Sequence, residues 1–216
     1  LEGIERIRLG SLEPRIVTDA FAKRLSELPK ICPHFHLSLQ SGCDETLKRM
    51  NRHYTTALYL EKCGILRQYF DRPALTTDVI VGFPGETEEE FAQTERFLET
   101  VHFSDMHIFK YSKRRGTKAA DMPNQIDPQI QSVRSEKLIA LGERMKDDFL
   151  EACKDQEQIV LIEEETEIDG TKYMTGHSKN YIRCAFETDG LVPNMVIKGT
   201  INSKLNEEFV FCKRID

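Results

Sequence analysis

The sequence lacks tryptophan and has no apolar run long enough to cross a membrane. No Trp occurs among the 216 residues, and the densest apolar segment, residues 159–162, has the length of a strand. A membrane helix needs about 18 to 20 apolar residues in succession. The first ten residues alternate charged and aliphatic side chains, so no secretory signal is predicted. We therefore expect a protein with no membrane association.

Closely spaced cysteines are also missing. Small disulfide-rich domains pack their cysteines densely, and zinc sites use close pairs. Here no two cysteines lie closer than 11 positions, and the six are Cys32, Cys43, Cys63, Cys153, Cys184 and Cys212. The spacing favours free thiols in a reducing cytoplasm, and no metal ligands are predicted.

Apolar and charged residues are both abundant. Hydrophobic residues make up 39% of the chain and charged residues 31%, with a mean hydropathy of -0.46. This composition is typical of a globular protein with a hydrophobic core and excludes disorder throughout. The net charge of -6 argues against a surface that is basic all over, but it allows local basic patches that bind nucleic acid.

Strand-like and helix-like segments alternate through the first 110 residues. The predicted strands are residues 4–9, 35–39, 75–81 and 106–111, and the predicted helices are 19–28, 44–50, 56–70 and 88–101. Thr87 and Glu90 have the spacing of a capping box at the start of the last helix. Such alternation predicts a parallel sheet of the α/β class, either an open doubly wound sheet or part of a β/α barrel.

A different pattern follows residue 112. Glycine, proline and basic residues interrupt the alternation, and Asp127 with Pro128 begins a helix that is predicted to reach about Cys153. Five short strand-like segments fill the last 60 residues, which predicts a small antiparallel barrel of oligonucleotide-binding size. We place the domain boundary near Asp155, with an α/β unit over residues 1–155 and a β-barrel over 156–216.

Glycine-rich or polar turns follow three of the predicted strands. Gly82 and Gly85 bracket the turn after the third strand, which lacks the Gly-Lys-Ser/Thr ending of a phosphate loop. Ser11, Glu13 and Gln40 lie in the turns after the first two strands. The carboxyl ends of parallel strands meet at one edge of a sheet, where α/β proteins bind ligands. The three turns together predict a cofactor-sized site, although each residue alone also suits a turn or cap.

Two histidines face the same side of the second predicted strand. His34 and His36 are separated by one residue, so their side chains share a face, and a metal site is one interpretation. No third ligand stands nearby at a suitable spacing, so we expect both histidines to be satisfied within the fold. Cys43 beside Asp44 has no identifiable partner for nucleophilic catalysis, and we expect a turn thiol.

Basic side chains concentrate in two segments of the first part of the chain. Residues 110–118 hold five basic residues and no acidic one, and residues 48–53 form a second cluster. Such clusters suit an RNA backbone, although a charge run is more often a solvated surface. In the predicted barrel the candidate RNA contacts are a local stripe of basic residues, Lys179, Arg183 and Lys198.

Four segments together resemble one family, the radical S-adenosylmethionine (SAM) methylthiotransferases. Residues 6–14, 36–52, 77–86 and 111–117 read RIRLGSLEP, HLSLQSGCDETLKRMNR, TDVIVGFPGE and YSKRRGT. The order and the amino-acid sequences of these segments most resemble the MtaB type, which modifies N6-threonylcarbamoyladenosine next to the tRNA anticodon. The resemblance implies part of a β/α radical SAM barrel followed by a TRAM RNA-binding barrel. It also implies tRNA as the partner.

The resemblance also implies roles for individual residues. The turn of Ser11 and Glu13 corresponds to the ribose side of bound SAM, and Gln40 lies in the next turn. The cofactor-binding residues implied on the third strand, its turn and the active-site mouth are Asp78, Gly82, Phe83, Pro84 and Arg114. The implied RNA-binding residues are Lys113, Arg115, Lys179, Arg183 and Lys198. No catalytic residue is implied within the chain.

The cofactors of this family are SAM and two [4Fe-4S] clusters. The family binds one cluster through a Cys-x3-Cys-x2-Cys motif, and no such motif occurs in these 216 residues. The resemblance therefore implies the C-terminal half of such an enzyme, with the cluster cysteines upstream of Leu1 and with no activity in this half alone. Two other interpretations remain: a radical SAM enzyme that modifies a protein side chain, and a noncatalytic RNA-binding module on an α/β scaffold.

Overall fold

The computed structural model describes residues 3–215, and its first part is a four-stranded parallel sheet. The strands lie side by side in chain order: β1 (Ile7–Leu12), β2 (Ile31–Leu37), β3 (Ala74–Val81) and β4 (Asp105–Lys110). The connecting helices are α1 (Asp19–Ser26), α2 (Asp44–Arg49), α3 (Thr56–Tyr69) and α4 (Glu88–Val101). A short helix, α5 (Lys118–Asp121), and a long one, α6 (Pro128–Ala152), follow β4. The α/β class predicted from the sequence is confirmed.

The two faces of the sheet have different side chains. Alternate residues of β3, Leu75, Val79 and Val81, are buried in a core that the helices share with the sheet. The residues between them, including Asp78, point to the opposite face because side chains alternate along a strand. The helices therefore cover one face and leave polar side chains on the other.

The last part of the described chain is a closed five-stranded barrel. Its strands are β5 (Glu157–Ile168), β6 (Thr171–Ser178), β7 (Arg183–Phe186), β8 (Val196–Lys204) and β9 (Val210–Ile215), in the order β5-β6-β7-β9-β8. The barrel has its own core, which includes Val160, Ile162 and Phe186. The predicted small antiparallel barrel is confirmed, with one parallel pair of strands, β7 and β9. A parallel pair arises because the chain crosses from β7 to β8 before it returns beside β7.

The start of the sheet also differs from the prediction. Strand β1 begins at Ile7 rather than at residue 4, and β2 begins at Ile31 rather than at residue 35. Pro33 lies inside β2, where the sequence pattern favours a break because proline cannot donate a backbone hydrogen bond. The register between β1 and β2 shifts around this proline: Ile7 pairs with Ile31, but Leu9 pairs with Phe35.

Residues just before and within β1 connect the sheet to the barrel. The Arg6 guanidinium donates hydrogen bonds to the carbonyl oxygens of His177 (3.0 Å) and Ile159 (2.9 Å). The Arg8 guanidinium lies 4.0 Å from the ring centre of Tyr181. These contacts dock the loop around Tyr181 on the first strands of the sheet. Among residues 3–215, no helix has the length and apolar composition that a membrane span requires.

Candidate functional site

The turn after β3 is the most constrained part of the predicted cofactor site. Gly82 and Gly85 have φ angles of 71° and 79°, in the left-handed region that glycine adopts without strain. Phe83 and Pro84 are buried, and the Phe83 ring packs edge-on against Tyr111 with the ring centres 5.4 Å apart. Four of the predicted cofactor-binding residues therefore belong to one strand and its turn, Asp78, Gly82, Phe83 and Pro84.

Two residues that the sequence reasoning missed hold this turn in place. The Glu86 carboxylate accepts a hydrogen bond from the Gly82 backbone N–H (2.7 Å) and another from Arg134 Nη1 on α6 (2.7 Å). Arg134 also donates to the Glu86 backbone carbonyl oxygen (3.1 Å). Burial raises the pKa of the Glu86 carboxyl, while the Gly82 N–H and Arg134 oppose that change. In the sequence, this role is indicated by the Glu86 carboxylate, which directly follows an apolar, glycine-rich turn.

The end of β1 and the turns after β1 and β2 supply polar groups, and Ser11 lies inside β1 rather than in the predicted turn. The Glu13 carboxylate accepts hydrogen bonds from the backbone N–H of Arg15 (3.1 Å) and from its Nε (2.8 Å), so it caps a 3-10 turn. Gln40 has a φ of 73° and prolongs β2 against β3 through backbone hydrogen bonds with Asp78 and Ile80, both 2.9 Å. Within residues 3–215 the side chains of Ser11 and Gln40 make no hydrogen bond. These two side chains are therefore available to a ligand.

Three polar side chains from three neighbouring strands meet on the face opposite the helices. Asp78 Oδ2 lies 3.4 Å from His36 Nε2, and Asp78 Oδ1 lies 3.2 Å from His107 Nδ1. The candidate ligand atoms of all three residues lie within 4.8 Å of one another. The expectation that His36 has no third partner for metal binding is wrong, because His107 comes from a strand that the sequence does not place beside it. In this geometry Asp78 contacts the two imidazole rings.

His34, the other histidine of β2, has a different environment. It is only 6% exposed, and its Nδ1 has no hydrogen-bond partner among the described residues. Burial, together with the smaller effects of the charges of Arg8, His36 and His177, lowers the pKa of His34 to about 4. The expectation that both strand histidines are satisfied is therefore wrong for His34.

The predicted RNA-binding residues fall into two environments. Lys113, Arg114 and Arg115 are exposed in the loop between β4 and α5. Lys179 contacts the Pro29 carbonyl oxygen at 3.4 Å. Two other basic side chains of the barrel pair with acidic ones, Arg183 with Glu208 (2.5 Å) and Lys198 with Glu157 (2.8 Å). These pairs reduce the local positive potential that a phosphate would meet.

A cleft of about 410 Å³ lies between the barrel and the amino-terminal ends of β2, β3 and β4. Rings line it from both sides, among them His34, His177, Tyr181 and Phe209. The His177 and Tyr181 rings stack with centres 4.4 Å apart. Such a lining can accommodate a stacked base.

The cysteines do not fit an iron–sulfur cluster. A [4Fe-4S] cluster needs several thiolates converging on one point. All six cysteines are free and buried, and in the described part of the chain none belongs to a group of three metal-ligating side chains. No step of a reaction can therefore be assigned to a cluster on these cysteines.

Comparison with known proteins gives one consistent result. The sequence pattern of the Radical SAM superfamily matches residues 1–98. The chain is 37% identical to the threonylcarbamoyladenosine tRNA methylthiotransferase MtaB of Bacillus subtilis over 199 residues, 91% of this chain and 44% of that protein. It is 46% identical over 145 residues to tRNA-2-methylthio-N(6)-dimethylallyladenosine synthase 1 of Mycobacterium marinum, 67% of this chain and 27% of that protein.

A solved structure supports the fold. The structure of coproporphyrinogen III oxidase (HemN) of Escherichia coli, a radical SAM enzyme, superposes on this chain with a TM-score of 0.55 and 17% sequence identity. The match covers 65% of this chain and 32% of the HemN chain. The chain spans less than half the length of the curated relatives that it matches. With the parallel sheet, its turns and these relatives taken together, the chain belongs to the radical SAM methylthiotransferase family.

Proposed function

We propose that this chain is part of an enzyme that inserts a methylthio group at C2 of N6-threonylcarbamoyladenosine, next to the anticodon of a tRNA. The observation that carries the proposal is the similarity to MtaB over 91% of the chain, from the parallel sheet into the barrel. A relative that shares only the sheet would support SAM chemistry alone. The enzyme acts in the cytoplasm in this proposal, where tRNA is found.

A second candidate substrate is N6-dimethylallyladenosine at the same position in the tRNA. The relatives whose names carry that substrate reach 46% identity over 67% of the chain, and one of them matches 95% of the chain at 36% identity. Both candidates share the reaction and differ only in the group on N6 of the adenosine. The residues that contact the group on N6, rather than those that bind SAM, therefore determine which of the two adenosines is the substrate.

The cofactor role is proposed for the carboxyl edge of the sheet. The free side chains of Ser11 and Gln40 suit the polar groups of SAM, and the backbone of Gly82, Phe83 and Pro84 suits its adenine. Glu13, Asp78 and Arg114 complete the set, although the Glu13 carboxylate already accepts two hydrogen bonds from Arg15. Radical SAM enzymes use a reduced iron–sulfur cluster to cleave SAM. Since the cysteines here do not converge, we propose that residues 1–216 alone are inactive.

The barrel is proposed to be a TRAM-like RNA-binding module. We place the boundary between residues 155 and 156, in the connection between α6 and β5. In this proposal Lys113 and Arg115 reach RNA from the sheet side, and Lys179, Arg183 and Lys198 reach it from the barrel. The ion pairs of Arg183 and Lys198 would open as phosphate replaces Glu208 and Glu157.

The experiment is an analysis of modified nucleosides in tRNA from a strain that lacks the gene. We expect 2-methylthio-N6-threonylcarbamoyladenosine to disappear and its unmethylthiolated precursor to accumulate, as measured by liquid chromatography and mass spectrometry. Loss of the dimethylallyl derivative instead would establish the second candidate. Unchanged levels of both nucleosides would contradict the proposed reaction.

A further inference from the structure

The cluster of His36, Asp78 and His107 has the composition and shape of a metal site. The three residues lie on β2, β3 and β4, on the face of the sheet that no helix covers. Asp78 pairs directly with His107 in the sheet register, and His36 pairs with Thr76, two positions before Asp78. The register of a three-strand ladder therefore fixes all three side chains on rigid elements rather than on loops.

Two of the distances are close to those between the ligand atoms of a tetrahedral zinc centre. Zn–N and Zn–O bonds of about 2.0 to 2.1 Å place neighbouring ligand atoms about 3.3 Å apart. Asp78 Oδ2 lies 3.4 Å from His36 Nε2, and the other carboxylate oxygen, Oδ1, lies 3.2 Å from His107 Nδ1. The third separation stays within 4.8 Å. Small rotations of the side chains therefore suffice to direct three donor atoms at one ion.

A further contact orients the first ligand. His36 Nδ1 lies 3.0 Å from the Thr76 hydroxyl, which is buried in the sheet. When Nδ1 carries the proton and donates it to this hydroxyl, the Nε2 lone pair points at the Asp78 carboxylate. In that tautomer a metal ion between the lone pair and the carboxylate would stabilise both groups. Metal-binding histidines commonly use their second nitrogen in this way.

We propose that His36, Asp78 and His107 bind one divalent transition-metal ion of the Zn²⁺ class. His36 supplies Nε2, Asp78 supplies a carboxylate oxygen and His107 supplies a ring nitrogen. Two imidazoles and one carboxylate are a ligand set that such ions prefer, and three protein ligands leave a coordination position open. The His107 side chain is 60% exposed, so the open position faces solvent on the uncovered face.

This site is separate from the turn that we propose for SAM. Asp78 lies four residues before Gly82 on β3, which corresponds to about 13 Å along an extended strand. Asp78 is the one residue that the resemblance assigns to SAM and that this geometry assigns to a metal. The inference does not depend on the proposed reaction, because it rests on three side chains and a hydroxyl alone.

The test is a calorimetric titration of the 216-residue chain with Zn²⁺, followed by a Co²⁺ spectrum. We expect one Zn²⁺ per chain and a Co²⁺ spectrum with visible ligand-field bands but without the near-ultraviolet band that thiolate ligands give. The bands of nitrogen and oxygen ligands distinguish this cluster from the six cysteines. No Zn²⁺ binding, or a thiolate band, would overturn the proposal.

Zn²⁺ titration of variants shows whether these residues bind the ion. His107→Gln alters an exposed side chain and should fold normally, and it should weaken Zn²⁺ binding by at least about tenfold, as should Asp78→Asn. Thr76→Val should weaken binding by about tenfold, because it leaves every ligand in place but removes the hydroxyl that orients His36. The matched control is His102→Asn, since His102 lies 3.5 Å from Asp148 in a pair that no third ligand joins among residues 3–215. A His107→Gln variant that binds Zn²⁺ as tightly as the unmodified chain would contradict the assignment.

Discussion

Arg134 on α6 and Glu86 in the turn after β3 form a buried ion pair with 2.7 Å between Nη1 and Oε2. The side chains are 7% and 1% exposed, so both charges are removed from water. Because Glu86 also accepts the Gly82 N–H, a helix 48 positions away in sequence fixes the conformation of the turn. The shape of the proposed SAM site therefore depends on α6, which lies outside the segments that carry the family resemblance.

The first prediction concerns this pair. Glu86→Gln should lower the free energy of unfolding by about 3 to 5 kcal/mol, because it leaves the buried Arg134 charge with only the exposed Glu88 carboxylate as an ionic partner. The control is Glu88→Gln: Glu88 pairs with the same guanidinium at 3.2 Å but is 82% exposed, so its loss should cost less than about 1 kcal/mol. Urea denaturation measures both. Equal losses in the two variants would show that burial does not decide the strength of the pair.

The second prediction concerns the pH dependence of stability. Burial lowers the pKa of His34 to about 4 in the folded chain, below the ordinary value of 6.5. Between these values the unfolded chain binds more protons, so stability rises with pH across this window and falls as the pH drops from 6.5 toward 4. The full effect is of the order of 3 kcal/mol.

A His34→Phe variant tests it, because a phenyl ring fills the site against Tyr181 without a titrating nitrogen. Denaturation at several pH values should show a shallower loss of stability below pH 6.5 than in the unmodified chain. His53→Gln, at an exposed position, serves as the control and should retain the full slope. An unchanged slope in His34→Phe would assign the pH dependence to other groups.

The third prediction concerns the connection between sheet and barrel. Arg6 donates to two carbonyl oxygens of the barrel, those of His177 and Ile159. Arg6→Ala leaves both without this donor and should lower the free energy of unfolding by about 1 to 3 kcal/mol. Arg24→Ala removes only an exposed pair with Glu27, so it should change stability by less than about 0.5 kcal/mol. Urea denaturation measures both variants. Amide hydrogen exchange should also be faster in β5 and β6 of Arg6→Ala than in the unmodified chain. Unaltered exchange there would contradict a docking role.

Local sequence signals predicted much of the fold. The capping box of Thr87 and Glu90 is present with both hydrogen bonds, and Asp127 caps α6 with Pro128 at its first position. These features depend on residues close together in sequence, so a short segment contains the whole signal. The strand over 75–81 is likewise confirmed, because a β-branched, apolar run buried on one face needs no long-range information.

The parts that were missed depend on contacts between distant segments. The cluster of His36, Asp78 and His107 requires the register of three strands, which alternation along one strand does not fix. Arg134 meets Glu86 only after α6 packs on the sheet. The glycine turn after β3 was predicted from the sequence, but the groups that hold it were not, since ion pairs across 48 positions leave no local pattern.

The last prediction separates two reasons why residue 82 is glycine. A Cβ at this position would lie 2.4 Å from Gln131 Cγ, and the φ angle of 71° is one that other residues rarely adopt. Gly82→Ala should therefore lower the free energy of unfolding by about 1 to 3 kcal/mol through strain and crowding together. Gln131 is a flexible side chain, so Gln131→Ala in the same chain should relieve the crowding and leave the backbone strain. Urea denaturation of the two single variants and the double variant measures the coupling, which should be about 0.5 kcal/mol or more. Strict additivity would mean that the backbone conformation alone requires glycine at this position.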